Sequence, residues 1–294
     1  MTAFKQFRVE PDKKFKLGER DPADTAGFKS KKEANAKERL TEGIERLREL
    51  QERLYAHDRW ALLLIFQAMD AAGKDSTIEH VMSGVNPQGC QVYSFKQPSA
   101  EELDHDYLWR TNRCLPERGR IGVFNRSYYE EVLVVRVHKG ILAGEKLPTE
   151  LVDEDIWKQR FKDINANERY LAQNGTAIVK FFLHVSKEEQ RRRFLARLDE
   201  PQKNWKFSLS DVKEREHWDE YMVVYEDMLE QTSTEHAPWY VIPADHKWFT
   251  RMAVADIVVG TLEKLKPEYP TITEEKRREL EAARKALEQE EAKG

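Results

Sequence analysis

Apolar and polar residues follow two rhythms along this chain. Residues 60–69 are almost continuously apolar and are bounded by charge at both ends, which predicts a strand buried on both faces of a parallel sheet. Comparable runs recur at 91–95, 121–125, 177–185 and 239–243. Between them apolar residues return at spacings of three and four, the mark of helices. Leu40, Ile44, Leu47, Leu50 and Leu54 trace one face of a long helix over 31–57, and shorter helical patterns cover 76–85, 100–114, 151–173, 187–198 and 212–232. Strands alternating with helices predict right-handed βαβ crossovers, hence an α/β fold with a central parallel sheet and helices on both faces. In such sheets ligands bind at the carboxyl ends of the strands, so chemistry is to be sought just after each strand.

The two ends read differently. Residues 1–31 are rich in Lys, Asp, Pro and Gly with scattered aromatics (Phe4, Phe7, Phe15, Phe28), which predicts an extended arm docked on the body. Residues 271–292 carry only a thin apolar stripe, Leu280, Ala283 and Leu287, amid charge, which predicts a peripheral helix. The charged fraction is 35%, above the usual share of about 25%, but 13 Phe, 10 Tyr and 7 Trp argue against disorder. With 49 Lys and Arg against 53 Asp and Glu, the chain offers no broad basic surface to nucleic acid, and any anion site must be local. Two cysteines, Cys90 and Cys114, make neither a disulfide framework nor a metal motif, so a reducing, cytoplasmic setting is expected. No apolar run approaches the roughly 20 residues of a membrane span, and no secretory leader is expected from the N-terminus.

Three segments carry candidate chemistry. The first strand runs into Gln67-Ala68-Met69-Asp70-Ala71-Ala72-Gly73-Lys74-Asp75-Ser76. This is similar to a phosphate-binding P-loop, in which backbone N–H groups at a helix N-terminus surround phosphate oxygens and a lysine adds charge. Ala68 stands where such loops usually have their first Gly, and Asp75 where they have a metal-binding Ser or Thr. The alternative is an ordinary turn in which Gly73 supplies backbone freedom and Asp75 or Ser76 caps the helix. Asp70 inside a phosphate loop is repulsive unless Mg²⁺ intervenes. After the third strand come Asn125-Arg126-Ser127-Tyr128-Tyr129-Glu130-Glu131. The neutral Asn125 is a weak metal anchor, so Asp70, Glu130 and Glu131 are the candidates for that role. Arg126 can bridge phosphates. Ser127 is expected to cap a helix; Glu130 either completes that capping box or serves the site. After the fourth strand, residues 180–206 hold eight Lys or Arg against four Asp or Glu, a net +4. Arg193 and Arg197 share a helical face, Arg191 lies near the opposite one, and a turn at Pro201 presents Lys203 and Lys206. Either this is a basic hairpin over the phosphate loop or a solvated charged helix. His80, His138 and His184 are expected to be structural, and Trp205, Trp218 and Trp239 to be core or lid packing residues, the alternative being that one of them stacks on adenine.

Taken together, QAMDAAGKDSTI at 67–78, GVNPQG at 84–89, DYLWR at 106–110, FNRSYYEEVLVVRVH at 124–138, EEQRRRFLARLDEPQKNWKFS at 188–208 and STEHAPWYVIPADHKWF at 233–249 resemble the family-2 polyphosphate kinases across roughly residues 5–265. The resemblance implies a single P-loop kinase domain over 1–294, similar to thymidylate kinase, with a basic lid at about 187–215. It implies reversible, Mg²⁺-dependent (or Mn²⁺-dependent) transfer between inorganic polyphosphate and the nucleotides AMP, ADP and ATP. In its terms Asp70, Lys74, Arg126 and Glu130 are catalytic. Ala71, Ala72, Gly73, Lys74, Asp75, Ser76, Arg191, Arg193, Arg197 and Lys203 hold polyphosphate. Asn125, Arg126, Glu130, Glu131 and Arg136 meet the nucleotide, while Asp70 and Glu131 hold metal. Members that phosphorylate only diphosphates generally show Asn where Glu130 stands, so Glu130 points to the subgroup that accepts both AMP and ADP. A homo-oligomer, dimer or tetramer, is expected, with the 32–57 helix as a plausible contact. The rival readings are an ATP-dependent nucleoside or nucleotide kinase and a non-catalytic polyphosphate-binding protein.

Overall fold

The computed structural model describes residues 4–291. Five strands, β1 (Ala61–Gln67), β2 (Cys90–Ser94), β3 (Ile121–Asn125), β4 (Thr176–His184) and β5 (Trp239–Pro243), form one parallel sheet in the order β2-β3-β1-β4-β5. Strand β1 lies at the centre, with Phe66 opposite Asn125 on one side and Phe181 on the other. Every residue of β1, β3 and β5 is buried, as continuous apolar runs require. All five strands stand where the apolar pattern predicts them, β3 and β5 to the residue.

The helices depart further from expectation. They are α1 (Ala36–His57), α2 (Lys74–Val81), α3 (Ala100–Leu103), α4 (Trp109–Asn112), α5 (Val134–Val137), α6 (Ile156–Gln173), α7 (Lys187–Asp199), α8 (Leu209–Glu214), α9 (Trp218–Thr232), α10 (Lys247–Leu265) and α11 (Glu274–Glu291). The helix predicted at 100–114 is two single turns: Ser99 and Glu102 close a capping box on the first, and Asp106 accepts from Leu108 N at 2.9 Å, a local turn that competes with the helix. The one predicted at 212–232 is interrupted by a 3₁₀ turn at Arg215–His217. The sequence pattern missed α10 altogether, because its apolar residues face all ways and leave no stripe; nine of its residues, from Phe249 to Leu262, are buried. The α1 helix packs on α10 and on the GVNPQG turn, where a Cβ on Gly89 would sit 1.9 Å from Gln51 Nε2. That motif therefore has a packing reason. The α11 helix is exposed wherever its side chains are described, as its thin stripe predicts. No helix among the described residues is long and apolar enough to cross a membrane.

The arm docks along the β5 edge of the sheet. Phe4 and Phe7 meet the Phe249 ring edge-on at 5.5 and 5.7 Å, and Val9 N donates to Trp239 O at 2.9 Å. Glu230 and Glu226 accept from Phe15 N and Leu17 N at 2.9 and 2.8 Å.

Under the carboxyl ends of the strands lies a fully buried ion pair. Lys180 of β4 donates to Glu168 Oε2 of α6 at 2.6 Å, to Tyr129 Oη at 2.8 Å and to Thr232 O at 2.8 Å, so all three ammonium protons have acceptors. Glu168 Oε1 in turn accepts from Tyr128 and Tyr129 at 2.9 and 2.8 Å. Burial pulls the Lys180 pKa down to about 8, opposed by Glu168.

His184, at the end of β4, uses Nε2 to donate to Arg20 O of the arm at 3.2 Å, while its buried Nδ1 has no partner. Protonation would add a buried donor with nothing to meet it, and burial pushes the pKa from 6.5 down to about 4. The unfolded chain therefore binds the proton first, so stability is full above about pH 6.5 and falls as the pH drops toward 4. Thermal melting across this window should show a loss of up to ~3 kcal/mol that is flattened in His184→Gln.

Candidate active site

The loop from β1 to α2 turns back twice. Ala71 and Gly73 have φ of 59° and 106°, the latter a conformation that favours glycine and lets α2 begin at Lys74. No side chain caps α2: Ser76 Oγ points back to Gly73 O at 3.2 Å, and Asp75 accepts from Asn125 Nδ2 at 2.6 Å. The capped-turn alternative is thereby excluded, and the amides of the first turn are left for an anion. Lys74 is buried, donates to Ala68 O at 2.8 Å, and has its pKa lowered by desolvation and by the Arg126 charge. An arriving phosphate would relieve both effects.

Facing this loop is Arg126, the first residue after β3. Its φ is 63°, and its N–H donates to Phe66 O of β1 at 3.0 Å, which fixes the turn against the sheet. The guanidinium donates to Asp70 Oδ1 at 2.9 Å and lies 3.6 Å from Glu130 Oε2. Glu130 first, and Asp70 after it, hold Arg126 firmly protonated. Glu130 Oε1 accepts from Gln67 Nε2 at 2.9 Å. Ser127 caps the following 3₁₀ turn through Tyr129 N, but Glu130 does not reach back to complete a box. It belongs to the chain Asp70–Arg126–Glu130–Gln67, which spans the mouths of β1 and β3.

Of these four, Asp70 and Arg126 border a cleft of about 790 Å³ that also takes in Arg197, Trp205, Asp211 and Lys247, whereas Glu130 and Gln67 do not line it and reach it only through Arg126. The residues expected to act there divide sharply. Asp70, Ala71, Gly73, Lys74, Asp75, Ser76, Asn125, Arg126 and Arg197 line it. Arg193 borders it but offers no donor to a ligand: Nε goes to Glu189, Nη1 to the carbonyls of Ala71 and Ala72, and Nη2 to those of Ala244 and Asp245, at 2.5–3.2 Å. All five guanidinium protons are taken, and in this arrangement Arg193 is a strut under the phosphate loop. Arg191 is 58% exposed and paired with Glu188 outside the cleft. Arg136 pairs with Asp227 at 2.7 Å, also outside it. Glu131 turns the opposite way from Glu130 and is buried against Arg160 at 2.9 Å and against Glu145, whose pKa burial pushes up to about 8. Glu131, expected to meet metal and nucleotide, is therefore placed away from the cleft. The Lys203 side chain lies outside the described residues. Of the eight cations of 180–206, Lys180 is thus paired with Glu168, and Arg191, Arg192 and Arg193 with Glu188 and Glu189. Lys247 and Asp211 were missed as cleft residues; Lys247 opens α10, the helix that showed no stripe.

Residues 28–270 match the family model described as Polyphosphate kinase 2 (PPK2). The chain belongs to the polyphosphate kinase 2 family. It is 56% identical over 284 residues to the ADP-polyphosphate phosphotransferase of Rhodopseudomonas palustris, covering 96% of this chain and 98% of that one. It is 48% identical over 266 residues to the AMP/ADP-polyphosphate phosphotransferase of Meiothermus ruber, covering 90% and 95%. The crystal structure of polyphosphate kinase 2 from Arthrobacter aurescens TC1 superposes with a TM-score of 0.85 at 41% identity, covering 95% of this chain and 96% of that one. The sheet and its phosphate loop are accordingly those of a P-loop kinase, and the chain is a phosphotransferase of the polyphosphate kinase 2 family.

A strut and a surface ion pair respond differently to deletion. In this kinase Arg193→Ala should lower stability by ~3 kcal/mol, since it strands Glu189 and four carbonyls, and turnover should fall with it. Arg191→Ala should change melting and turnover by less than about twofold.

Proposed function

We propose that the chain moves the terminal phosphoryl group of inorganic polyphosphate onto AMP and onto ADP, reversibly, giving ADP and ATP. The observation that carries the reading is the uncapped α2 N-terminus with Lys74, faced across the cleft by an arginine held between two carboxylates. The two relatives named above differ in acceptor, one named for ADP and the other for both AMP and ADP. Glu130 supports the second.

In the proposed step an oxygen of the acceptor phosphate attacks the terminal phosphorus in line. The bond to the bridging oxygen breaks, and polyphosphate leaves one unit shorter. The α2 amides and Lys74 meet the equatorial oxygens of the transferred group, while Arg126 stabilises charge developing between donor and acceptor. The acceptor oxygen is already anionic, so no strong general base is needed. The basic segment 187–215 acts as a lid, with Arg197 toward the polyphosphate, and excludes water.

Phosphotransferases of this family generally use a divalent metal ion. Among the described residues no group of three or more His, Cys, Asp or Glu forms a ready site, which suits Mg²⁺, an ion commonly bound through one or two carboxylates and the substrate phosphates. Asp70, 31% exposed at the cleft, fits this role and Glu131 does not. Mg²⁺, or Mn²⁺ on the same oxygen donors, would there neutralise phosphate charge.

The decisive experiment incubates the protein with Mg²⁺, polyphosphate and either AMP or ADP and follows ATP. Formation of ATP supports the reading; phosphorylation that requires ATP as donor, or polyphosphate binding without transfer, overturns it. Lys74→Ala and Arg126→Ala should each lower kcat by about 10²–10³ with melting retained, and near-normal rates in both would overturn the assignment. Glu130→Asn should weaken AMP use relative to ADP use, whereas equal loss on both acceptors counts against a selector role.

A further inference from the structure

Gln67 is the last residue of β1 and is fully buried. A buried amide needs partners for both of its ends, and this one has a partner for one. Its Nε2 donates to Glu130 Oε1 at 2.9 Å, while its Oε1 is buried with no partner. The assignment of the two ends follows from chemistry, because an ionised carboxylate only accepts. Leaving the carbonyl unpaired costs about 1–3 kcal/mol, a cost that an apolar side chain at the end of a core strand would avoid. Glu130 itself is held from two sides, by Gln67 through Oε1 and by Arg126 through Oε2 at 3.6 Å. The two holds respond differently to substrate. An arriving phosphate competes with Glu130 and Asp70 for the Arg126 guanidinium. It exerts no comparable pull on a neutral amide buried beneath the carboxylate.

We propose that Gln67 is a positioning residue for acceptor selectivity: it keeps the Glu130 carboxylate in place when acceptor phosphate engages Arg126, and so permits use of a nucleoside monophosphate. The proposal rests on the reading of Glu130 as the selector. ADP brings a second phosphate through which to be held. AMP brings only the reacting one, so any drift of Glu130 and Arg126 weighs more heavily on AMP.

The test measures kcat and KM for AMP and for ADP, with polyphosphate as donor, in Gln67→Met, Gln67→Leu, Glu130→Asn and the Gln67→Met/Glu130→Asn double variant. Each Gln67 variant should lower the ratio of kcat/KM for AMP to that for ADP about tenfold, mostly through KM for AMP. The double variant should show no larger change in ratio than Glu130→Asn alone, because Gln67 acts through Glu130. The ratio is read within one protein sample, so partial misfolding lowers both activities alike and cancels. If Glu130→Asn shifts the ratio and the Gln67 variants do not, the proposal is overturned while the reading of Glu130 stands. A ratio unmoved by Glu130→Asn overturns that reading and the proposal with it, and additive shifts in the double variant show that Gln67 acts elsewhere.

Discussion

The ion pair between Lys180 and Glu168 ties together most of what surrounds the site. It lies at zero exposure where β4, α6, the turn after β3 and the end of α9 converge, with Trp239 of β5 stacked on the same ammonium. Burying two charges is expensive, and the pair is tolerable because each proton and lone pair that matters has a partner. Tyr128 and Tyr129 are among those partners, and they belong to the same short turn as Arg126 and Glu130. The backbone that presents the cleft arginine, bent to φ 63°, is therefore pinned from below by a network that has no contact with substrate.

Above that floor, the cleft is built from opposed charges at close range. Lys74 and Arg126 are held against Asp70, Glu130 and a backbone carbonyl, so each cation has an interaction to surrender when phosphate arrives. The carboxylates keep two positive groups together in a partly dry site before any polyanion is there. Arg193 serves the same end differently, holding the loop by its carbonyls so that the amides opposite remain turned toward the cleft.

The strands were legible because each is an uninterrupted apolar run, and the phosphate loop because its place between β1 and α2 could be read along with its residues. Other features depended on facts that spacing does not carry. The apolar residues of α10 surround the helix, so no period announces it. Glu130 and Glu131 are neighbours in sequence and look alike there, yet a 3₁₀ turn sends one to Arg126 and the other to Arg160. The charge count over 180–206 was right, but its meaning changed once Lys180 entered the core and Glu188 and Glu189 took up Arg191, Arg192 and Arg193. Arg191 and Glu188 lie three apart and could have been paired on paper. The five backbone and side-chain acceptors around Arg193 could not, since two of its three partner segments, 71–72 and 244–245, are distant in sequence. Gln67 went unnoticed as the polar end of an apolar strand.

The docking of the arm bears on how the chain acquires its fold during synthesis. Residues 8–17 leave the ribosome early, but the groups that receive them, Glu226, Glu230, Glu235 and Trp239, are made more than 200 residues later. The loop after β5 joins these events to the site: Asp245 receives Arg193 through its carbonyl and donates its own N–H to Pro22 O. Until that loop has been translated, the strut beneath the phosphate loop lacks two of its anchors. Contacts of such long separation close slowly. The nascent kinase therefore holds its phosphate loop and Arg126 well before it holds them in their final shape.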